Sequence, residues 1–306
     1  MRIFITGATG FVGSAIVAEL LAHGHQVTGL ARSEVSAAAL AKAGAAVQRG
    51  ALDDLESLRA GAAAAEGVIH AAFIHDFTKF EENCAIDLRA INALGEALAS
   101  TQKPLIITSG TALARAGGVI SEETPAAAGA GAIPRVASEE AAAALASRGQ
   151  RVSILRLAPT VHGDGDHGFV PLLIDIARAK GVAAYVGEGN NVWPAVHRLD
   201  AARLFRLALE QGAAQLRYHG VAEEGVRFRD IAQAIGRQLK LPVARLSAEE
   251  APAHFGWFAH FAMLDNPASS ADTRAALGWQ PRERGLIADL DQGRYFEAGR
   301  RTGFSV

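Results

Sequence analysis

Residues 2–13 read Arg2-Ile3-Phe4-Ile5-Thr6-Gly7-Ala8-Thr9-Gly10-Phe11-Val12-Gly13, and this stretch decides the fold. A short apolar strand runs into three glycines at three-residue spacing. An apolar helical pattern follows at once through Ile16, Val17, Leu20 and Leu21. A dinucleotide needs this arrangement. The first glycine lets the chain turn sharply, the second lets the backbone approach a pyrophosphate, and the third lets the helix pack closely on the strand. The helix N-terminus adds free N–H groups and the positive end of the helix dipole.

Five more strands are legible downstream: Gln26-Val27-Thr28-Gly29-Leu30, Ala45-Ala46-Val47-Gln48, residues 67–72, residues 104–109 and residues 151–157. Helical patterns at 12–22, 36–43, 55–64, 81–100 and 138–148 separate them. Short apolar strands alternating with helices predict an α/β fold, a doubly wound parallel sheet of about seven strands with right-handed crossovers. The Ala/Gly stretch from Ala126 to Ala132 reads as a loop. After Leu157 the alternation loosens. A polar turn at 163–168 precedes a helix at 170–180, a strand at 182–186, a helix at 199–211 and a strand at Tyr218-His219-Gly220-Val221; residues 229–247 and the chain after Pro252 read as helical. The expected organisation is a dinucleotide-binding domain of residues 1–162 plus 193–222. Residues 163–192 and 223–306 then form a smaller, discontinuous substrate lobe over the carboxyl edge of the sheet, where such folds bind ligands.

The 306 residues are 50% hydrophobic, enough for a large core, and the net charge of −2 gives no basic field for nucleic acid or an anionic membrane. The single cysteine, Cys84, cannot form an intrachain disulfide, which fits a reducing cytoplasm. No signal peptide or membrane-spanning run is expected. The partner expected is a small-molecule substrate, with the chain a monomer or homodimer.

The chain resembles the extended and atypical short-chain dehydrogenase/reductase superfamily, which includes the NAD(P)-dependent nucleotide-sugar epimerases and dehydratases. Besides the glycine turn, the likeness rests on Leu52-Asp53, His70-Ala71-Ala72, Asn92-Ala93-Leu94-Gly95 and Thr108-Ser109. It continues through Leu155-Arg156-Leu157-Ala158-Pro159-Thr160-Val161-His162-Gly163 and Trp193-Pro194-Ala195-Val196-His197-Arg198-Leu199-Asp200. The resemblance implies a Rossmann-type domain in which Gly7, Thr9, Gly10, Phe11, Val12 and Gly13 form the pyrophosphate cradle. It further implies Leu52 and Asp53 at adenine, Ala71 and Ala72 along the ribose, and Pro159, Thr160 and Val161 bordering the nicotinamide. Phe73, Thr108 and Ser109 complete the implied cofactor set.

Cofactor choice turns on the end of the second strand. A 2′-hydroxyl site carries a carboxylate there, whereas a 2′-phosphate site needs a cation. The strand ends Leu30-Ala31-Arg32-Ser33, so Arg32 and Ser33 favour NADP(H) over NAD(H), with Glu34 as a counterweight.

The family's Tyr-x-x-x-Lys pair is missing. None of Tyr185, Tyr218 and Tyr295 has a lysine four residues on, and alignment on Ser138 puts Arg135 at the tyrosine and Glu139 at the lysine. Candidate replacements are Thr111 as a hydrogen-bond donor, Arg135 as a binder of an oxyanion (or a cation merely paired with Glu139), and His162 as a proton donor. His197 and Asp200 are expected to anchor the two lobes. Trp193, Trp257, Phe255, Phe258 and Phe261 form either an apolar substrate wall or plain core. No metal is expected, because His254 and His260 lack a ligand pattern. The leading expectation is an NADP(H)-dependent oxidoreductase acting on a small, largely apolar carbonyl or alcohol. The alternatives are a nucleotide-sugar epimerase or dehydratase and a non-catalytic NADPH-binding sensor.

Overall fold

Ile3 and Ile5 join one buried cluster and Phe4 another, as alternation along a strand requires when both faces of a sheet are covered. The computed structural model describes residues 1–114, 117–127, 129, 132–292 and 294–297. Its strands are β1 Arg2–Thr6, β2 Gln26–Ala31, β3 Ala46–Arg49, β4 Gly67–His70, β5 Leu105–Gly110, β6 Val152–Leu157, β7 Thr160–His162, β8 Ala183–Val186, β9 Val192–His197, β10 Arg217–Gly220, β11 Glu223–Arg227 and β12 Val243–Leu246. The α-helices are α1 Phe11–Ala22, α2 Glu34–Lys42, α3 Leu55–Ala64, α4 Phe80–Leu98, α5 Val136–Ser147, α6 Phe169–Lys180, α7 Arg198–Glu210, α8 Phe228–Leu239, α9 Ala251–Phe255, α10 Ala259–Ala262, α11 Ala271–Leu277 and α12 Leu286–Asp291.

Seven parallel strands in the order β10-β6-β5-β4-β1-β2-β3 form the central sheet, the Rossmann-type arrangement expected. One face packs Ile3, Ile5 and Ile69 against Ile16 and Leu20 of α1 and Leu204 and Phe205 of α7. The other packs Phe4, Val68 and Ile107 against Leu58 of α3, Ile91 and Leu94 of α4 and Leu145 of α5. A third cluster, away from this sheet, gathers Leu173, Trp193, Phe228, Ile231, Phe255, Phe258 and Leu286. Around it lie two small sheets, β11-β9-β7 and β12-β8.

Residues 229–247 are not helical throughout. Lys240 adopts a left-handed conformation (φ 56°) that closes α8, and Val243–Leu246 then pairs in parallel with Ala183–Val186. The strand is fixed by a partner sixty residues upstream, beyond the reach of local propensity. Within the 126–132 stretch, residues 128, 130 and 131 lie outside the described residues, while Ala126 bridges Ala114. Among the described residues no helix is long and apolar enough to cross a membrane.

Candidate functional site

The glycine turn is built as its spacing implies. Gly7 has φ +70°, and a Cβ there would lie 2.7 Å from the backbone of Ala71 and Ala72. A Cβ on Gly13 would lie 1.9 Å from the carbonyl oxygen of Gly7, so the helix docks on the turn only without a side chain. Gly10 caps α1 without any side-chain hydrogen bond, and the first turn of the helix holds no acidic residue. Among the described residues, no capping side chain takes the N–H groups at the start of α1, and its own first turn offers them no carboxylate. A cradle closed to Cβ atoms and open at a helix N-terminus fits a dinucleotide pyrophosphate.

Arg198 at the start of α7 lies over the Phe11 ring at 4.9 Å and donates to Ser14 Oγ at 3.2 Å. His167 meets Phe11 edge-on, with ring centroids 5.8 Å apart. This cation beside the glycine turn lies outside the expected site residues. Its sequence signal is weak, because Arg198 directly follows the anchor His197.

At the end of β2, Arg32 is exposed and pairs with no acidic side chain among the described residues. Ser33 caps α2 by accepting from the Ser36 N–H at 3.2 Å. Glu34 is held by Arg49 at 2.5 Å, which offsets its charge. Leu52 and Asp53 form the turn before α3, with Asp53 exposed. Ala71, Ala72 and Phe73 leave β4 beside the glycine turn. Thr160 donates to the Pro194 carbonyl, which ties β7 to β9. Among the described residues, the buried Thr108 hydroxyl has no hydrogen-bond partner.

Two buried ion pairs occupy the place of Tyr-x-x-x-Lys. Glu139 receives Arg156 through Nε–H (2.9 Å) and Nη2–H (2.6 Å), and also the Ser109 hydroxyl (2.5 Å). Arg156 is fully buried and donates to the Thr124 carbonyl at 2.7 Å. Arg135 is not paired with Glu139. Its Nη2 donates to the Thr108 carbonyl at 3.1 Å, and Nη1 lies 2.8 Å from Asp87 Oδ2, an ion pair without hydrogen-bond angles. Its guanidinium stacks on the Phe73 ring at 3.9 Å.

Asp87 is the hub. It accepts from the Ser138 hydroxyl at 2.7 Å, and His70 Nε2 lies 3.0 Å from its other oxygen. A carboxylate only accepts, so in a neutral His70 ring Nε2 carries the proton and Nδ1 accepts from the Thr6 hydroxyl, 2.8 Å away. Thr6 in turn accepts from the Ala72 N–H at 3.3 Å. Burial pushes the Asp87 carboxyl up, but Arg135, His70 and Ser138 outweigh it and hold the carboxyl below the usual range. A buried network thus joins the first turn of α5 to the root of the glycine turn.

Sequence reasoning missed the Asp87–His70 link and the role of Arg156. The signals were present: an arginine inside the apolar run Ile154-Leu155-Arg156-Leu157, and an aspartate on the apolar face of α4. A charge placed there demands a buried partner.

The other catalytic candidates face elsewhere. Thr111 is buried, and its hydroxyl donates to Asn266 at 2.7 Å. His162 is buried against Asp289 at 2.9 Å, so a carboxylate from α12 takes its Nδ1. Asp200 accepts the backbone N–H groups of Arg282 and Glu283 at 2.8 and 3.0 Å, an anchoring part. Cys84 is buried, and burial raises its thiol to about 11, so it is inert.

A run of aromatic contacts leads from the segment after β4 to the C-terminal helices. Trp193, Phe255 and Phe258 are plain core. Trp257 is 45% exposed and Phe261 half-buried. Phe77 meets Trp257 at 5.4 Å and Phe261 at 6.5 Å, joining the segment after β4 to the C-terminal helices. Phe73, beside the glycine turn, contacts His75 at 5.2 Å. His75 is exposed, with the Phe73 and Phe77 rings as neighbours. Desolvation, with Arg135 and His167 nearby, lowers its pKa to about 4 and leaves a neutral ring.

The family model "NAD dependent epimerase/dehydratase family" matches residues 3–220. An uncharacterized protein of Schizosaccharomyces pombe is 51% identical over 302 residues, covering 97% of this chain and 100% of its own length. An uncharacterized protein of Saccharomyces cerevisiae is 46% identical over 292 residues, covering 95% and 98%. Among solved structures, the dTDP-glucose 4,6-dehydratase DesIV of Streptomyces venezuelae, crystallised with NAD, superposes with TM-score 0.76 at 19% identity over 97% of both chains. The chain belongs to the NAD dependent epimerase/dehydratase family.

Proposed function

We propose that this chain is an NADP(H)-dependent oxidoreductase acting on a small, largely apolar carbonyl compound or the corresponding alcohol. One observation carries the reading. The charges at the Tyr-x-x-x-Lys position cancel in pairs, Arg135 with Asp87 and Arg156 with Glu139, and Arg135 stacks on Phe73, whose ring contacts lead through Phe80 and Phe77 to Trp257 and Phe261. A neutral apolar ligand fits that environment, and a charged one finds no free counter-ion there.

A bound nicotinamide would exchange a hydride with the substrate. The chain's own residues bind and orient. The glycine turn and Arg198 hold the pyrophosphate, and Arg32 pairs with the 2′-phosphate while Glu34 stays engaged by Arg49. The aromatic wall excludes water, and the neutral His75 ring offers an N–H to a carbonyl oxygen. The substrate lobe is the discontinuous unit of residues 163–192 and 223–306. Steady NADPH consumption in a panel of aldehydes and ketones tests the reading, and binding of NADPH without turnover of any of them returns it to a sensor.

A nucleotide-sugar substrate is the second reading, favoured by the family match over residues 3–220. That chemistry relies on the tyrosine that Arg135 replaces. Tight calorimetric binding of dTDP-glucose would restore it.

A further inference from the structure

The aromatic row after β4 has a chemistry of its own. Phe73, His75, Phe77 and Trp257 follow one another at centroid spacings of 5.2, 6.4 and 5.4 Å. The row starts beside the glycine turn and ends on a tryptophan 45% exposed. Stacked and edge-on aromatic contacts reward a flat conjugated partner over a puckered one of equal size. Arg135, stacked on Phe73 at the head of the row, has its charge paired with Asp87.

Proton supply narrows the ligand further. Four of the groups that could serve as acids are committed elsewhere. Thr111 donates to Asn266, Tyr295 to Asp166, and His162 sits on Asp289. Tyr218 is fully buried under Gln215, whose N–H it accepts. His75, exposed between Phe73 and Phe77, has its pKa lowered by desolvation and is a weak acid as a neutral ring. Reducing an isolated ketone leaves an alkoxide about as basic as hydroxide. Reducing a quinone leaves a phenolate-like oxygen, lower by about 5–6 pKa units if water and tyrosine are the guides. The second therefore asks far less of a proton donor than the first.

We propose that the aromatic row binds a planar, conjugated carbonyl compound of the quinone class, and that this is the substrate oxidant. The proposal rests on the oxidoreductase reading above and names its substrate. The quinone gains a hydride (two electrons and a proton) from the reduced dinucleotide and one proton from solvent. Its two C=O double bonds become two C–OH bonds of an aromatic ring, and the dinucleotide leaves oxidised.

Binding and turnover are measured separately on the full chain. Naphthoquinone, the saturated decalindione and the bicyclic monoketone tetralone are the probes. Naphthoquinone is expected to quench tryptophan emission saturably and to bind at least about tenfold more tightly than decalindione by calorimetry. Trp257→Leu and Phe77→Leu are each expected to weaken it about fivefold or more, with Trp257→Tyr restoring most of the loss and all variants binding NADPH normally. Equal affinity for the flat and puckered diones overturns the ring site, as do two leucine variants that fold and bind naphthoquinone unchanged. In turnover with NADPH, naphthoquinone is expected to exceed tetralone in kcat/KM by about a hundredfold. Comparable values, or ring binding without reduction, overturn the quinone as substrate. Failure to bind NADPH would instead sink the oxidoreductase reading, with the calorimetric comparison still deciding the ring site.

Discussion

Removing Arg156 is expected to be among the most damaging single changes outside the glycine turn. Its guanidinium is fully buried, donates twice to Glu139 at 2.9 and 2.6 Å, and donates once to the Thr124 carbonyl at 2.7 Å. In Arg156→Met the Glu139 carboxylate keeps only the Ser109 hydroxyl, at 2.5 Å. An uncompensated buried charge costs about 3–5 kcal/mol when its partner is removed. Glu139→Leu alone strands the guanidinium and is expected to cost a similar amount. The double variant removes both charges and refills the space with apolar atoms. It is therefore expected to be milder than the sum of the singles by about 2 kcal/mol or more. Urea denaturation followed by circular dichroism on the four proteins gives the cycle. An Arg156→Met penalty below about 1 kcal/mol, or strict additivity, would refute the assignment of this pair as a coupled buried unit.

Arg32→Ala is expected to weaken NADPH binding about tenfold or more, the worth of one charge-assisted contact, and to leave NADH nearly unchanged; equal calorimetric losses for both cofactors would clear Arg32 of reading the phosphate. Gly13→Ala, whose Cβ would lie 1.9 Å from the Gly7 oxygen, is expected to abolish dinucleotide binding while the rest of the sheet folds; retained binding by calorimetry would show that the turn can move aside. Burial raises the Asp166 carboxyl to about 6, against the hydrogen bonds from Gly168 and Tyr295, so the folded state keeps a proton that the unfolded state has lost. Stability is therefore expected to fall as pH rises from about 4 to 6 and then level, by up to about 3 kcal/mol, and Asp166→Asn to flatten that window. Asp87 acts oppositely, since its lowered pKa contributes stability above about pH 4 that is lost as pH falls through its folded value. Denaturation midpoints from pH 3 to 8 separate the two, and an unchanged profile in Asp166→Asn would count against the Asp166 assignment.

The central sheet was legible because its strands are short apolar runs covered on both faces, so Ile3-Phe4-Ile5 and Val68-Ile69 leave little choice of structure. The glycine turn was legible because its steric demands are local. β12 was not, since Val243–Leu246 becomes a strand only against Ala183–Val186. The absence of Tyr-x-x-x-Lys was visible, but what fills its place was not. Arg135 looks like an i,i+4 partner of Glu139, and the structure separates them. Arg135 turns toward Asp87 on α4, and Glu139 turns toward Arg156 on β6. The cross-strand register that puts Ser109 opposite Arg156 decides the second pairing, and register is not a local property.

These two pairings bear on how the site departed from its family's chemistry. A lysine at position 139 would face the buried Arg156 guanidinium across the space that the Glu139 carboxylate now fills, so Glu139→Lys is incompatible with Arg156 on grounds of like charge. A tyrosine at position 135 would leave Asp87 with His70 and Ser138 but without the guanidinium that helps hold its carboxyl ionised. The acid–base pair therefore cannot be regained by Arg135→Tyr and Glu139→Lys alone, because β6 and α4 have charges matched to the present residues. On the oxidoreductase reading proposed above, discrimination among substrates would then fall to shape and to the aromatic surface from Phe73 to Trp257. Such a site would select by the flatness of its ligand and by the stability of the anion that the ligand becomes.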